Sequence, residues 1–138
     1  MTASSTVGAL RVRAMARERG MREVLACWIS RPGVVALCAV AGSRIVGLGV
    51  LRPCREGRKV GPLLAGDPAV ARSLLDALSA AAPGEPIFLD VPESNPAALA
   101  LARERGMREV FACTRMYLGT PPRLPGAEVF GVTSLELG

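Results

Sequence analysis

Apolar and polar positions follow one another along the chain in runs that predict alternating strands and helices. Two apolar runs, 34–40 and 44–52, flank the turn Ala41-Gly42-Ser43 and predict a β-hairpin. A third strand is predicted over 59–65. It contains Pro62, which has no N–H for a ladder and therefore favours an edge or a β-bulge.

Two helices are predicted after this strand. Asp67 can cap a helix over 68–82, because its side chain accepts from free N–H groups and the proline that follows fits the first helical position. Asn95, also followed by proline, repeats this signal for a helix over 97–105. Gly106 then suits the left-handed position that ends a helix.

Further strands are predicted over 87–91 and 109–118, with a last short strand over 129–137, and residues 1–10 are expected to form a loose terminus. The order is β-β-β-α-β-α-β, with an antiparallel start and right-handed helical crossovers later. The expected fold class is α/β, with a mixed, mostly antiparallel sheet.

Composition limits the chemistry. The 138 residues predict one domain, and the absence of histidine excludes His-based acid–base catalysis and His-containing zinc sites within this chain. Four cysteines without CxxC spacing are expected to be reduced thiols, and we expect no metal site.

No apolar run approaches the roughly 20 residues of a membrane span, and no signal peptide is recognised. We therefore expect a cytoplasmic location and no membrane partner.

The net charge of +5 is unevenly distributed. Residues 1–31 hold six arginines against two acidic residues, whereas residues 32–138 hold eleven basic against ten acidic residues. This division suggests a basic segment, 1–31, ahead of a domain over 32–138. A nucleic-acid or acidic-surface binder led by the basic start is one alternative. However, only five aromatic residues are present, which disfavours stacking on single strands, and we expect no nucleic-acid partner.

The basic segment contains an internal copy. Residues 16–27 read ARERGMREVLAC and residues 102–113 read ARERGMREVFAC, so that Leu25 and Phe111 are the only difference. Two distant copies do not form a repeat array. Either a duplication replaced the native start, which we favour, or the copy serves a swapped or dimeric arrangement.

The element order and three segments resemble the acetyl-CoA-dependent N-acetyltransferase (GNAT) family. The segments are RIVGLGVLRPC, KVGPLLA and FLDVPESNPAALALARERGM. In the last of these, Asn95, Ala98, Gly106 and Met107 match the family's strand–helix motif. Residues 28–138 further resemble the C-terminal domain of two-domain bacterial acetyltransferases of the YitH/HolE-like type. The family begins with a strand and two helices, so the start of this chain is expected to be shortened. The resemblance also implies a helical segment at 16–27, ahead of the hairpin.

The resemblance implies a GNAT-like acyl-CoA N-acyltransferase fold with acetyl-CoA as co-substrate and an amine of a small molecule, peptide or protein as acceptor. It also implies cofactor-binding positions along the third strand, at the following helix start and in the late motif: Leu63, Leu64, Ala65, Gly66, Asn95 and Ala98. A homodimer or a partner GNAT domain is the expected assembly.

Three residues depart from the family pattern. Asp67 places a carboxylate where the donor's pyrophosphate is expected, and Pro68 removes an N–H group from the same helix start. Ala102 stands where many members carry a tyrosine that protonates the leaving thiolate. These departures favour the alternative of a catalytically degenerate GNAT-like module that acts as a binding or partner domain.

Three residues are the catalytic candidates. Asp90 and Glu93 flank the end of the strand over 87–91, where a carboxylate can act as a base; a solvated or capping role is the ordinary alternative. Tyr117, the only tyrosine, is a candidate acid, against the alternative of a core aromatic. Cys54 lies near a basic cluster that could activate it, but no base is identifiable. The cluster, which could also meet phosphates, consists of Arg52, Arg55, Arg58 and Lys59.

Overall fold

The computed structural model describes residues 5–7, 10–14 and 31–135. Within them the chain forms a seven-stranded sheet and two α-helices. The strands are β1 (Ser5–Val7), β2 (Leu10–Ala14), β3 (Val35–Ala41), β4 (Arg44–Pro53), β5 (Arg58–Ala65), β6 (Ile87–Leu89) and β7 (Val129–Gly131). The helices are α1 (Pro68–Ala80) and α2 (Pro96–Glu104), and a short 3-10 helix, Gly126–Glu128, leads into β7.

The sheet is mixed, as the sequence predicts. Strands β1 to β5 lie side by side in chain order and pair antiparallel. Helix α1 then connects β5 to β6, which pairs parallel with β5, and β7 returns antiparallel beside β5. The α/β class with a mostly antiparallel sheet and a helical crossover is therefore confirmed.

The bulge predicted from Pro62 is present in β5. Gly49 of β4 faces Leu63, whereas Leu51 faces Val60, so one residue of β4 lies opposite two residues of β5. Such an insertion bends a strand and increases its local twist. Strand β5 therefore changes direction in its middle, next to β6.

Helix α1 covers one face of the sheet. Its buried side chains include Leu74, Leu75 and Leu78, each at most 2% exposed. Glycines in β4 allow close packing, since a Cβ at Gly47 would lie 2.7 Å from Cγ1 of Val70. The predicted caps are also confirmed: a side-chain oxygen of Asp67 accepts from the Val70 N–H at 2.9 Å, and Asn95 caps α2.

The strand predicted over 109–118 is wrong. These residues form no regular element, and the side chains of Phe111 and Met116 are 71% and 87% exposed. Period-two alternation assigns faces to a strand but does not supply the neighbouring strand that it needs. The edge of β5 opposite β4 is already shared by β6 and β7.

The start of the chain differs from the prediction as well. Residues 1–10 were expected to be loose, but Ser5–Val7 form β1 and Leu10 begins β2, which pairs with β3. The helical segment expected at 16–27 lies outside the described residues. Within the described parts of the chain, no helix is long and apolar enough to cross a bilayer.

Candidate functional site

The candidate site lies where β5 and β6 separate. The two strands pair only over Arg58 to Val60 of β5, which face Ile87 to Leu89 of β6. Beyond Val60 the bulge begins, and the gap between the strands holds residues 126–135, which we call the β7 segment. The divergence of two parallel strands thus creates a groove, and this chain fills it with its own backbone.

The β7 segment bonds to both walls of the groove. On one side Gly131 faces Leu63 and Val129 faces Leu64 of β5. On the other side the Val132 N–H donates to the Asp90 carbonyl oxygen, just beyond β6, at 3.0 Å. The segment therefore connects β5 to the end of β6 beyond Val60, where these two strands no longer pair with each other.

Close packing holds the segment in place. The Phe130 side chain is fully buried and belongs to the main hydrophobic core. Two glycines allow the backbones to approach. A Cβ at Gly61 would lie 2.6 Å from the Val132 carbonyl oxygen, and one at Gly131 would lie 2.6 Å from Cδ1 of Leu89.

Asn95 connects this segment to helix α2. Its side-chain oxygen accepts from the N–H groups of Ala97 and Ala98 at 3.1 and 3.2 Å, which satisfies donors at the helix start. Its amide nitrogen donates to the carbonyl oxygens of Ala127 and Val129 at 3.3 and 2.9 Å. Because Asn95 is only 3% exposed, these bonds satisfy a buried polar group.

The other predicted cofactor-binding residues lie at the same groove. Leu63 and Leu64 pair with β4 on one side and with β7 on the other, and Ala65 pairs with Gly47. The Gly66 N–H donates to the Val46 carbonyl oxygen at 2.9 Å, and Ala98 is buried behind the Asn95 cap. In this conformation an extended thioester arm does not fit the edge of β5 at Leu63 and Leu64, because a strand already lies there.

The start of α1 has fewer free N–H groups for an anion than the start of an uncapped helix. The Asp67 carboxylate occupies the Val70 N–H, and Pro68 has no N–H to donate. A carboxylate at this position also repels a phosphate. Both departures noted in the sequence therefore act at the same helix end.

The three catalytic candidates lie in different surroundings. Asp90 forms an ion pair with Lys59, and both side chains are about one-fifth exposed. Its backbone oxygen contacts the β7 segment, and Glu93 is exposed in the loop that follows. Tyr117 lies in the exposed stretch, where its hydroxyl accepts from Nη1 of Arg115 at 3.4 Å. The structure thus places Asp90 and Asn95 against the same segment.

The basic cluster is largely engaged in structural contacts. Arg52 donates to the Thr133 carbonyl oxygen, and Lys59 pairs with Asp90. Arg58 donates to the Gly33 carbonyl oxygen at 2.6 Å and pairs with a glutamate on the loop before β6. Cys54 is exposed, and its thiol donates to a nearby backbone oxygen. Among the described residues, no group of three or more His, Cys, Asp or Glu side chains could hold a metal ion.

Two features of this site were missed at the level of sequence. One is the Lys59–Asp90 pair, which joins residues 31 positions apart on neighbouring strands. The other is the position of the β7 segment between β5 and β6. A glycine inside the apolar run VFGV was a signal of close backbone approach, and it lies at Gly131.

Comparison with known proteins agrees with this architecture. The acetyltransferase (GNAT) domain family matches residues 9–131. The chain is also 28% identical over 112 residues to a holothin acyltransferase of Pseudoalteromonas sp. (strain SANK 73390), an alignment that covers 80% of this chain and 38% of the relative. No solved structure matches the chain.

The match over most of the chain defines the class: the protein belongs to the GNAT acetyltransferase domain family. The family is described as an acetyltransferase domain, and the name of the relative is that of an acyltransferase. The chain spans 38% of the length of that relative.

Proposed function

We propose that this chain is an N-acetyltransferase domain that uses acetyl-CoA as donor and a small-molecule or protein amine as acceptor. The observation that carries the proposal is the separation of β5 and β6 directly after Val60, beside the bulge. A groove between parting strands can accept an extended, amide-containing arm along a strand edge, once the β7 segment has left the edge that it occupies in this conformation. The family match supports the assignment of that arm to an acyl-CoA.

Asp90 is the residue that we assign to proton removal from the acceptor. It lies at the end of β6, next to the groove, where a carboxylate can accept a proton directly or through water. Lys59 provides the balancing positive charge at this position. When bound, the donor would supply the acyl carbon: a C–N bond to the amine would replace the C–S bond of the thioester. Asp90 would hold the amine proton, and CoA would leave as the thiolate and take a proton from solvent.

Calorimetry with acetyl-CoA and an assay of thiol release with a panel of amines test this function. We expect Asp90→Asn to lower the rate by about 10²-fold or more, which is the usual contribution of a positioned general base. Glu93→Gln tests the other carboxylate candidate, which is exposed three residues away, and we expect a much smaller effect. Absence of acetyl-CoA binding at millimolar concentration refutes the proposal.

A non-catalytic GNAT-like module is the second candidate. It is favoured by the Asp67 carboxylate on the Val70 N–H and by Pro68 beside it, because both remove phosphate-binding capacity from the start of α1. Ala102 adds to this, since it cannot transfer a proton. Measurable thioester cleavage with any amine would exclude this candidate.

The narrower assignments remain predictions. The resemblance to the C-terminal domain of two-domain acetyltransferases is compatible with a relative more than twice as long as this chain. A homodimer or a partner GNAT domain would then contribute the remainder of the acceptor site. Sedimentation of the purified chain, followed by copurification with a candidate partner domain, distinguishes these assemblies.

A further inference from the structure

We propose that the β7 segment is an internal competitor of the acyl donor and must leave the edge of β5 before the donor can pair there. This inference rests on the proposed function, because it assumes that the donor arm uses Leu63 and Leu64. It adds a regulatory step: the domain binds donor only in proportion to the population in which the segment is released.

The competition follows from backbone chemistry. Each residue of β5 except Pro62 has one N–H and one C=O, and β4 already occupies one edge of the strand. At Leu63 and Leu64 the other edge faces Gly131 and Val129. A donor arm that pairs along this edge needs the same lateral space, so the two occupants exclude each other.

The segment is attached to β5, to the end of β6 and to the start of α2. Beyond its pairing with β5, the contacts that hold it include the buried Phe130, the two Asn95 amide bonds, the Arg52 bond to Thr133, the Val132 bond to Asp90 and the close approach of Gly131 to Leu89. Residues 107–125, which precede it, contain no regular element and are almost all exposed. We expect release of the segment to leave the pairings of β1 to β6 in place, because none of them involves β7.

The arrangement gives a quantitative expectation. The apparent dissociation constant of the donor equals the intrinsic constant divided by the fraction of released molecules. Any change that favours release strengthens donor binding, and any change that locks the segment weakens it. If the segment instead contributed contacts to the donor site, its release would weaken donor binding.

Hydrogen exchange on the unmodified chain is the first test, with CoA as the probe. Saturation with CoA is expected to reduce the protection of the amides of Gly131 and Val132, although ligands generally increase protection nearby. Over the same time the core of α1 is expected to retain its protection. Unchanged or increased protection of the β7 segment in the CoA-bound state overturns the proposal.

A release variant and its control form the second test. Gly61→Ala places a Cβ against the backbone oxygens of Val132 and Thr133, at 2.6 and 3.0 Å, so a rotamer change cannot relieve the clash. Gly126→Ala, within the segment itself, places its Cβ in open space. We expect CoA affinity to rise about tenfold or more in Gly61→Ala and to stay unchanged in Gly126→Ala.

A reversible lock completes the design if Gly61→Ala does not fold. Leu64→Cys with Val129→Cys places thiols on facing residues of antiparallel strands, at a spacing that disulfides accept. The background has Cys27, Cys54 and Cys113 changed to serine, and the buried Cys38 is kept. CoA is expected to bind about tenfold more weakly to the oxidised form than to the reduced form. Equal binding to both forms overturns the competition alone. Absence of CoA binding to the reduced, oxidised and unmodified proteins overturns the proposed function, and the competition with it.

Discussion

Asn95 is the residue whose replacement tests the architecture of the site most directly. The structure gives it two separate tasks, capping α2 and holding the carbonyl oxygens of Ala127 and Val129. Asp67 performs only the first task for α1, again directly before a proline. Replacing Asn95 and Asp67 in separate variants therefore separates two contributions to the free energy of unfolding. The loss at Asp67 estimates the contribution of a cap, and the additional loss at Asn95 estimates that of the bonds to the β7 segment.

The magnitudes follow from these contacts. Loss of a helix cap costs about 1 kcal/mol, which is the expected result for Asp67→Ala. Asn95→Ala also removes two hydrogen bonds to the β7 segment, each worth about 1 kcal/mol, so its total is about 3 kcal/mol. Asn95→Asp retains the acceptor for the cap but turns a carboxylate oxygen toward two carbonyl oxygens, which gives a loss of about 2 kcal/mol or more.

Urea unfolding followed by circular dichroism measures the free energy of unfolding for the three variants and the unmodified chain. The expected order of destabilisation places Asn95→Ala above Asp67→Ala, with Asn95→Asp well above zero. If Asn95→Ala costs no more than Asp67→Ala, the bonds to Ala127 and Val129 contribute nothing. If Asn95→Asp is as stable as the unmodified chain, the same conclusion follows by an independent route.

Three further predictions concern the sheet and its surroundings, each measured by the same unfolding assay. Gly47→Ala places a Cβ 2.7 Å from a Val70 methyl carbon and 2.9 Å from a backbone oxygen, so we expect about 1–3 kcal/mol of destabilisation; an effect as small as that of Gly126→Ala, which meets open space, would contradict the packing of α1. Leu74→Ala removes a fully buried side chain and is expected to cost about 2–5 kcal/mol, and a loss below about 1 kcal/mol would contradict its burial. Phe111→Ser alters a side chain that is 71% exposed, so we expect a change within about 0.5 kcal/mol, whereas a core-sized loss would show that residues 109–118 pack against the sheet.

The helices and the first strands could be predicted from sequence because their signals are local. Asp67 and Asn95, each followed by proline, place both helix starts within their own few residues, and Gly106, with φ of +67°, ends α2 as expected. The bulge in β5 was equally local, since Pro62 excludes continuous pairing by its own chemistry. In each case one residue type restricts the backbone regardless of the rest of the chain.

The site was not predictable in the same way, because it is made of long-range pairings. The bond from Asn95 to Val129 spans 34 positions, and the register of Leu64 with Val129 spans 65. Periodicity identifies strand-like runs but does not say which run occupies an edge, and two candidates, 109–118 and 129–137, compete for the sheet. The shorter one pairs because Phe130 fills the core and Gly131 permits close approach.

The duplicated stretch shows how far local sequence determines structure in this chain. Of residues 102–113, only 102–104 are helical, and they complete a helix that begins at Pro96 under the Asn95 cap, outside the copied residues. The second half, from Arg108 onward, has strand-like alternation but pairs with no strand among the residues that the structure describes. The twelve residues therefore do not form a folding unit by themselves, because their helix start comes from upstream and any partner strand must come from elsewhere. The copy at 16–27 repeats this sequence without an Asn-Pro before it, so the local signal that starts α2 is absent from the residues that precede the copy.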